Sequence, residues 1–312
     1  MDAMDSKYFR PYGADGKLYG FVGVVTGALR PVGQAIIQEL AVHGAACIYG
    51  MLATPSTRLM WTLSNPVGTI RRPPQPATEA TFSEYASLVD AVGQDSPNTK
   101  IIGHAFNVAK EDGTLALIDE VLNSWGRLDV WVCSSGLLGP PSLEATTPGD
   151  LQRCFETDSM APFFALKYGP PAMAKMTPKK ANLNAAPKER GYGSIIVVSS
   201  VASTYGGCWG PCSTMSSHAA LGVVRAGVAV LKGTGVRINY ISPGQIDVAV
   251  DRKNFEMRGM SSAPTLQSTN NRGLERAGLA MKVGRAAEFL ASGFSSYVTG
   301  ANIDGGSWYG NP

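Results

Sequence analysis

Between residues 198 and 221 the chain reads VSSVASTYGGCWGPCSTMSSHAAL. Chemistry in this stretch has to come from hydroxyls, two thiols and one imidazole. A serine hydroxyl can orient a carbonyl, but it is too weak an acid to supply a proton near neutrality. Cys208 and Cys212 are nucleophiles by type, yet the sequence places no base beside them. His218 follows Ser217 on one helix and points roughly 100° away from it. Upstream, FETDSMAPFF (155–164) contributes a carboxylate, Asp158. A carboxyl that sinks into a pocket loses hydration, its pKa rises, and it becomes a usable general acid or base. A solvated one stays ionised and only accepts bonds from serines or backbone. Tyr205, Trp209 and Cys212 are expected on a loop that walls the pocket, where aromatic groups suit a large apolar substrate.

These residues need elements to hold them. Short apolar runs at 21–27, 46–51, 100–108, 128–136, 194–200 and 236–242 read as strands, and 297–306 contains a seventh. Stretches of helical period follow them at 32–44, 112–126, much of 147–176, and 215–233. Strands that are apolar throughout imply a sheet covered on both faces. Their alternation with helices implies βαβ units and a Rossmann-like, doubly wound parallel α/β sheet. Three stretches read as additions: 53–79 with five prolines, the polar and basic 177–192, and a ligand-covering lid over about 250–284. The 312 residues are otherwise expected to form a single domain.

Composition excludes several classes. A net charge of +3 with 16% charged residues gives no basic stripe for nucleic acid or an anionic membrane. No apolar run approaches the roughly 20 residues needed to span a bilayer. Five cysteines without CxxC spacing and three scattered histidines predict reduced thiols in a cytoplasmic protein, with no disulfide framework and no metal site.

VVTGALRPVGQA (24–35) is a strand, a tight turn and a helix start, where backbone N–H groups can hold a phosphate. Gly27 permits the turn and Gly33 the close packing of helix on strand. From 21 to 306 the chain resembles the short-chain dehydrogenase/reductase family. The motif is similar to the family's TGxxxGxG, with Pro31 at the middle glycine. CSSG (133–136) stands at the family's NNAG and keeps only Gly136. SPGQI (242–246) matches a further family segment through Pro243 and Gly244, and FLASGFSSYVTGANIDGG (289–306) is close to the C-terminal pattern. The resemblance implies a dinucleotide site. It puts Arg30 where NADP-preferring members carry an arginine, Met51 where NAD-preferring members carry an acid, and Asn107 where an aspartate holds adenine. Any dinucleotide is therefore expected to be NADP(H). Pro31 adds bulk and removes an N–H where backbone should approach the pyrophosphate, so binding is expected to be weak.

The family transfers hydride with Asn, Ser, Tyr and Lys. By resemblance Ser200 takes the serine position, Ser213 the tyrosine position, Ser217 the lysine position and Asp158 the asparagine position. Sliding the register to Tyr205 puts Trp209, not lysine, four residues on. The phenol and the ammonium of the reductase are thus absent. The expectation is an enzyme with a non-redox reaction on a natural-product intermediate, a cyclisation, isomerisation, pericyclic closure or dehydration, with no cofactor consumed. An NADPH-dependent reductase with an unusual proton donor and a non-catalytic scaffold protein are the alternatives. The partners expected are a small, apolar molecule and further copies of the chain in a homodimer or homotetramer.

Overall fold

The computed structural model describes residues 18–51, 79–104, 107–140, 142–175, 191–205, 210–248 and 277–305. Its centre is a seven-stranded parallel sheet. The strands are β1 (Val22–Val25), β2 (Cys47–Met51), β3 (Lys100–His104), β4 (Val130–Cys133), β5 (Gly193–Val198), β6 (Val236–Pro243) and, last in the chain, β9 (Asn302–Gly305). Their spatial order is β3-β2-β1-β4-β5-β6-β9. β7 (Ile246–Asp247) and β8 (Gly278–Leu279) pair as a separate two-stranded ribbon.

Continuous apolar strands are explained by where alternate residues go. Val22, Val24, Ile195 and Val197 enter one buried cluster, while Val25, Ile196 and Val198 enter the other. On the first face lie α3 (Glu111–Trp125), α5 (Ala161–Met173) and α6 (Gly210–Val230). On the second lie α1 (Pro31–Val42), α2 (Glu79–Asp95) and α7 (Ala280–Ala291). At the end of the sheet away from the strand tips, Arg127 is fully buried and donates to both oxygens of Asp129 and to the Tyr192 hydroxyl.

Several expectations need correction. α2 arises at 79–95, where no helix was anticipated, and takes Glu79 from the proposed 53–79 loop. The end of the proposed lid is no lid: Val283, Ala287, Leu290 and Ala291 belong to the core on α7. A Cβ on Gly284 would lie 2.7 Å from the carbonyl oxygen of Ala35 on α1, so the two helices meet backbone to backbone. Tyr192, assigned to the 177–192 loop, is buried on Arg127. Gly191 and 277–282, with β8 among them, are also described; 53–78, 177–190 and 250–276 lie outside the described residues.

The helix expected across 147–176 is broken. α4 (Pro148–Phe155) opens with a capping box in which Thr147 and Asp150 bond reciprocally. One π-helical turn, Glu156–Met160, then separates it from α5. Pro162 accounts for the widening. It has no N–H for the carbonyl of Asp158 four residues back, and its ring crowds that carbonyl. Among the described residues no helix is long and apolar enough to cross a membrane.

Candidate active site

The strand order reverses between β1 and β4, which opens a crevice at their carboxyl ends. Thr26 braces it: its hydroxyl accepts from the N–H groups of Ser134 and Ser135, and Ser134 Oγ donates back to the Thr26 carbonyl. Gly27 has φ +66°, and a Cβ there would stand 2.8 Å from the Ser134 oxygen. A Cβ on Gly33 would fall 2.1 Å from the Gly27 oxygen. Both glycines are thus required by packing.

The groups that would contact a dinucleotide are less complete. Arg30 is exposed as the residue before α1, and Pro31 is exposed at the first helical position with no N–H to give. Asn107 is exposed, and its Oδ1 accepts from Ala109 N at 2.9 Å. Pro243 ends β6, and Gly244 N donates to the Gly305 carbonyl. This set fits a phosphate near the start of α1; the positions that the resemblance makes catalytic lie at the other end of the crevice.

That end is built from the π turn, the first half of α6 and the loop after β4. Asp158 is 7% exposed. Its Oδ1 accepts from Leu137 N at 2.9 Å and its Oδ2 from Ser216 Oγ at 2.6 Å. Burial pushes its carboxyl up to about 6, and the two donors pull the other way by favouring the ionised form. Gly136, exposed, lies beside Oδ1, where even an added Cβ would be 3.7 Å away.

α6 begins at Gly210, not at 215, with Pro211 in its first turn. This moves Cys212 and Ser213 from loop to helix. Cys212 is fully buried, hydrogen-bonded to Cys154 and packed against Gly139, so it does not wall an open pocket. Ser213 and Ser217 are also buried. Ser217 Oγ accepts from Ser199 Oγ at 3.1 Å, and its carbonyl accepts from the Tyr240 hydroxyl. Ser200 caps a short 3₁₀ turn, accepting from Ala202 N at 3.1 Å. Tyr205 is half-buried after that turn, and Trp209 lies outside the described residues. His218 is exposed, with Nδ1 on the Thr214 carbonyl.

The structure therefore joins Asp158 to the Ser213–Ser217 segment, but through Ser216, which sequence reading passed over. Ser216 was recognisable only as another serine on the same helical face as Ser213, one turn apart. Tyr240, also passed over, is a buried phenol bonded among Ser199, Ser203 and Ser217, and burial raises its pKa.

A parallel, doubly wound sheet with its cleft at this switch point defines a Rossmann-type α/β protein. The chain belongs to the short-chain dehydrogenase/reductase family. Residues 78–307 match the family model described as Enoyl-(Acyl carrier protein) reductase. Momilactone A synthase of Oryza sativa subsp. japonica is 27% identical over 93% of this chain and 90% of its own. (+)-Borneol dehydrogenase 2 of Salvia officinalis is likewise 27% identical, with the same coverage. Among solved structures, a short-chain type dehydrogenase/reductase from Mycobacterium ulcerans superposes with a TM-score of 0.71 at 19% identity, covering 93% of each chain. Levodione reductase gives 0.70 at 18%, covering 92% of this chain and 96% of that one. These two share the fold.

Proposed function

We propose that this protein is an acid–base enzyme of the family that rearranges a small organic molecule by cyclisation, isomerisation or dehydration. It would do so without consuming a reduced nicotinamide. One observation carries the reading: a buried carboxyl, Asp158, is held at both oxygens beside the crevice, and the resemblance puts Ser213 and Ser217 at the phenol and ammonium positions. With a pKa of about 6 it is a base above that pH and an acid below it. The hydroxyls of Ser213, Ser217 and Ser200 contribute shape and hydrogen bonds, and their weak acidity keeps them from donating protons to a developing alkoxide. Relatives named for momilactone A and borneol support a natural-product substrate. Arg30 and the start of α1 offer a weak NADP(H) site that would hold the fold or the substrate.

A second reading has its own support. The named relatives include dehydrogenases and a 3-oxoacyl-[acyl-carrier-protein] reductase, so Asp158 would protonate the product of a hydride transfer. One experiment separates the two. Metabolite extract from a strain lacking the gene is incubated with purified protein, with and without NADPH, and the lost and gained species are followed. Conversion without NADPH, lowered at least about tenfold by Asp158→Asn, supports the first reading. Stoichiometric NADPH consumption, or an Asp158→Asn protein with unchanged rate, overturns it.

A further inference from the structure

We infer that Ser216 is the positioning residue that fixes the orientation and proton affinity of Asp158, by donating its buried hydroxyl to Oδ2. The catalytic meaning of this rests on the acid–base reading above. The geometry does not. Ser216 is fully buried and its Oγ lies 2.6 Å from Oδ2, a short bond of the kind made to a charged acceptor. The alternative partner of the same hydroxyl, the Ser213 carbonyl, is at 3.4 Å and is the weaker choice. Ser216 is itself held from the other side, because Ser159 Oγ on the π turn donates to its carbonyl at 3.0 Å. α6 and the π turn are thereby tied by two bonds in opposite directions, one through each serine. Leu137 N fixes Oδ1, so the carboxylate plane is set by two donors from two different elements.

The other groups around Asp158 do not supply this hold. Cys154 on α4 lies in its field, as does Tyr240 from β6, and burial raises the pKa of both, so they stay neutral beside it. Cys212 on α6 bonds to Cys154. No lysine, arginine or histidine is bonded to the carboxylate among the described residues. Ser216 is therefore the side chain through which the fold stabilises the charged form.

The test reads Asp158 directly. The full chain is made with aspartate labelled at the carboxyl carbon, and the Asp158 signal is identified by its loss in Asp158→Asn. The midpoint of its NMR titration is compared in wild type, Ser216→Ala and Ser216→Thr. Loss of a hydrogen bond to the charged form should move the midpoint up by about one pH unit in Ser216→Ala. Ser216→Thr, which keeps the hydroxyl, should return it close to wild type. If Ser216→Ala does not fold, Ser216→Cys serves, since a thiol is a weaker donor and should shift the midpoint in the same direction. An unchanged midpoint in the folded Ala or Cys variant overturns the inference. Because no turnover is measured, the result stands apart from the metabolite experiment. A shifted midpoint alongside NADPH consumption would keep Ser216 and discard the non-redox reading.

Discussion

Asp158 carries a cost as well as a use. Its carboxyl is raised from the ordinary 3.8 to about 6 by burial. The folded protein therefore keeps this proton over a range where the unfolded chain has released it. The stability this contributes is fully present below about pH 4 and is lost as the pH rises through about 6. The separation corresponds to about 3 kcal/mol. Asp158→Asn removes the titration. Urea unfolding of the two proteins should show the variant gaining about 2–3 kcal/mol on wild type between about pH 4 and pH 7. A difference that is flat with pH would mean that the carboxyl is not strained by burial. The sequence disclosed the carboxyl and the condition, burial in a pocket, under which its pKa rises. It did not disclose Ser216 or Leu137, because a donor's identity depends on which turn of α6 faces the π turn.

At the scale of elements, α1 and α7 pack backbone against backbone. Gly284 sits with its missing Cβ only 2.7 Å from the Ala35 carbonyl and 3.0 Å from Glu39 Cγ, and Arg285 pairs with Glu39 across the same contact. Gly284→Ala has nowhere to put a methyl group against backbone. It should destabilise by about 1–3 kcal/mol despite alanine's better helix propensity, read from the midpoint of chemical denaturation. A neutral or stabilising result would show that the helices can separate freely. The sequence reading placed Gly284 in a lid because 250–284 is rich in Ser, Asn, Met and Arg. The periodicity of α7 starts inside that stretch, with Val283, and continues past it through Ala287, Leu290 and Ala291. The π turn was similarly hidden, since apolar periodicity across 147–176 reads as one continuous helix and does not register a single widened turn.

At the scale of the molecule, family members are typically oligomeric, and α5 and α6 present matching features. Met160 at the end of the π turn, Phe163 at the start of α5 and Met215 on α6 are exposed, and Gly222 has open space above it. Light scattering at micromolar concentration should give at least a homodimer. Gly222→Trp, which a free helix surface tolerates, should shift it toward monomer if α6 is the contact. A monomeric wild type would count against pairing.

Chain-level pattern determined the α/β class, the parallel sheet and the glycine turn at Gly27, because each depends on residue type and spacing along one strand or helix. Tertiary structure alone decided which hydroxyl reaches the carboxyl. Ser200, Ser213 and Ser217 stood at the family positions, yet Ser200 is used as a cap and Ser217 bonds to Ser199. Cys212 turned inward because α6 starts a turn earlier than its apolar period suggests. A hydrogen bond of 2.6 Å between residues far apart in the chain depends on how two helices rotate against each other, and rotation is set by packing over the whole sheet.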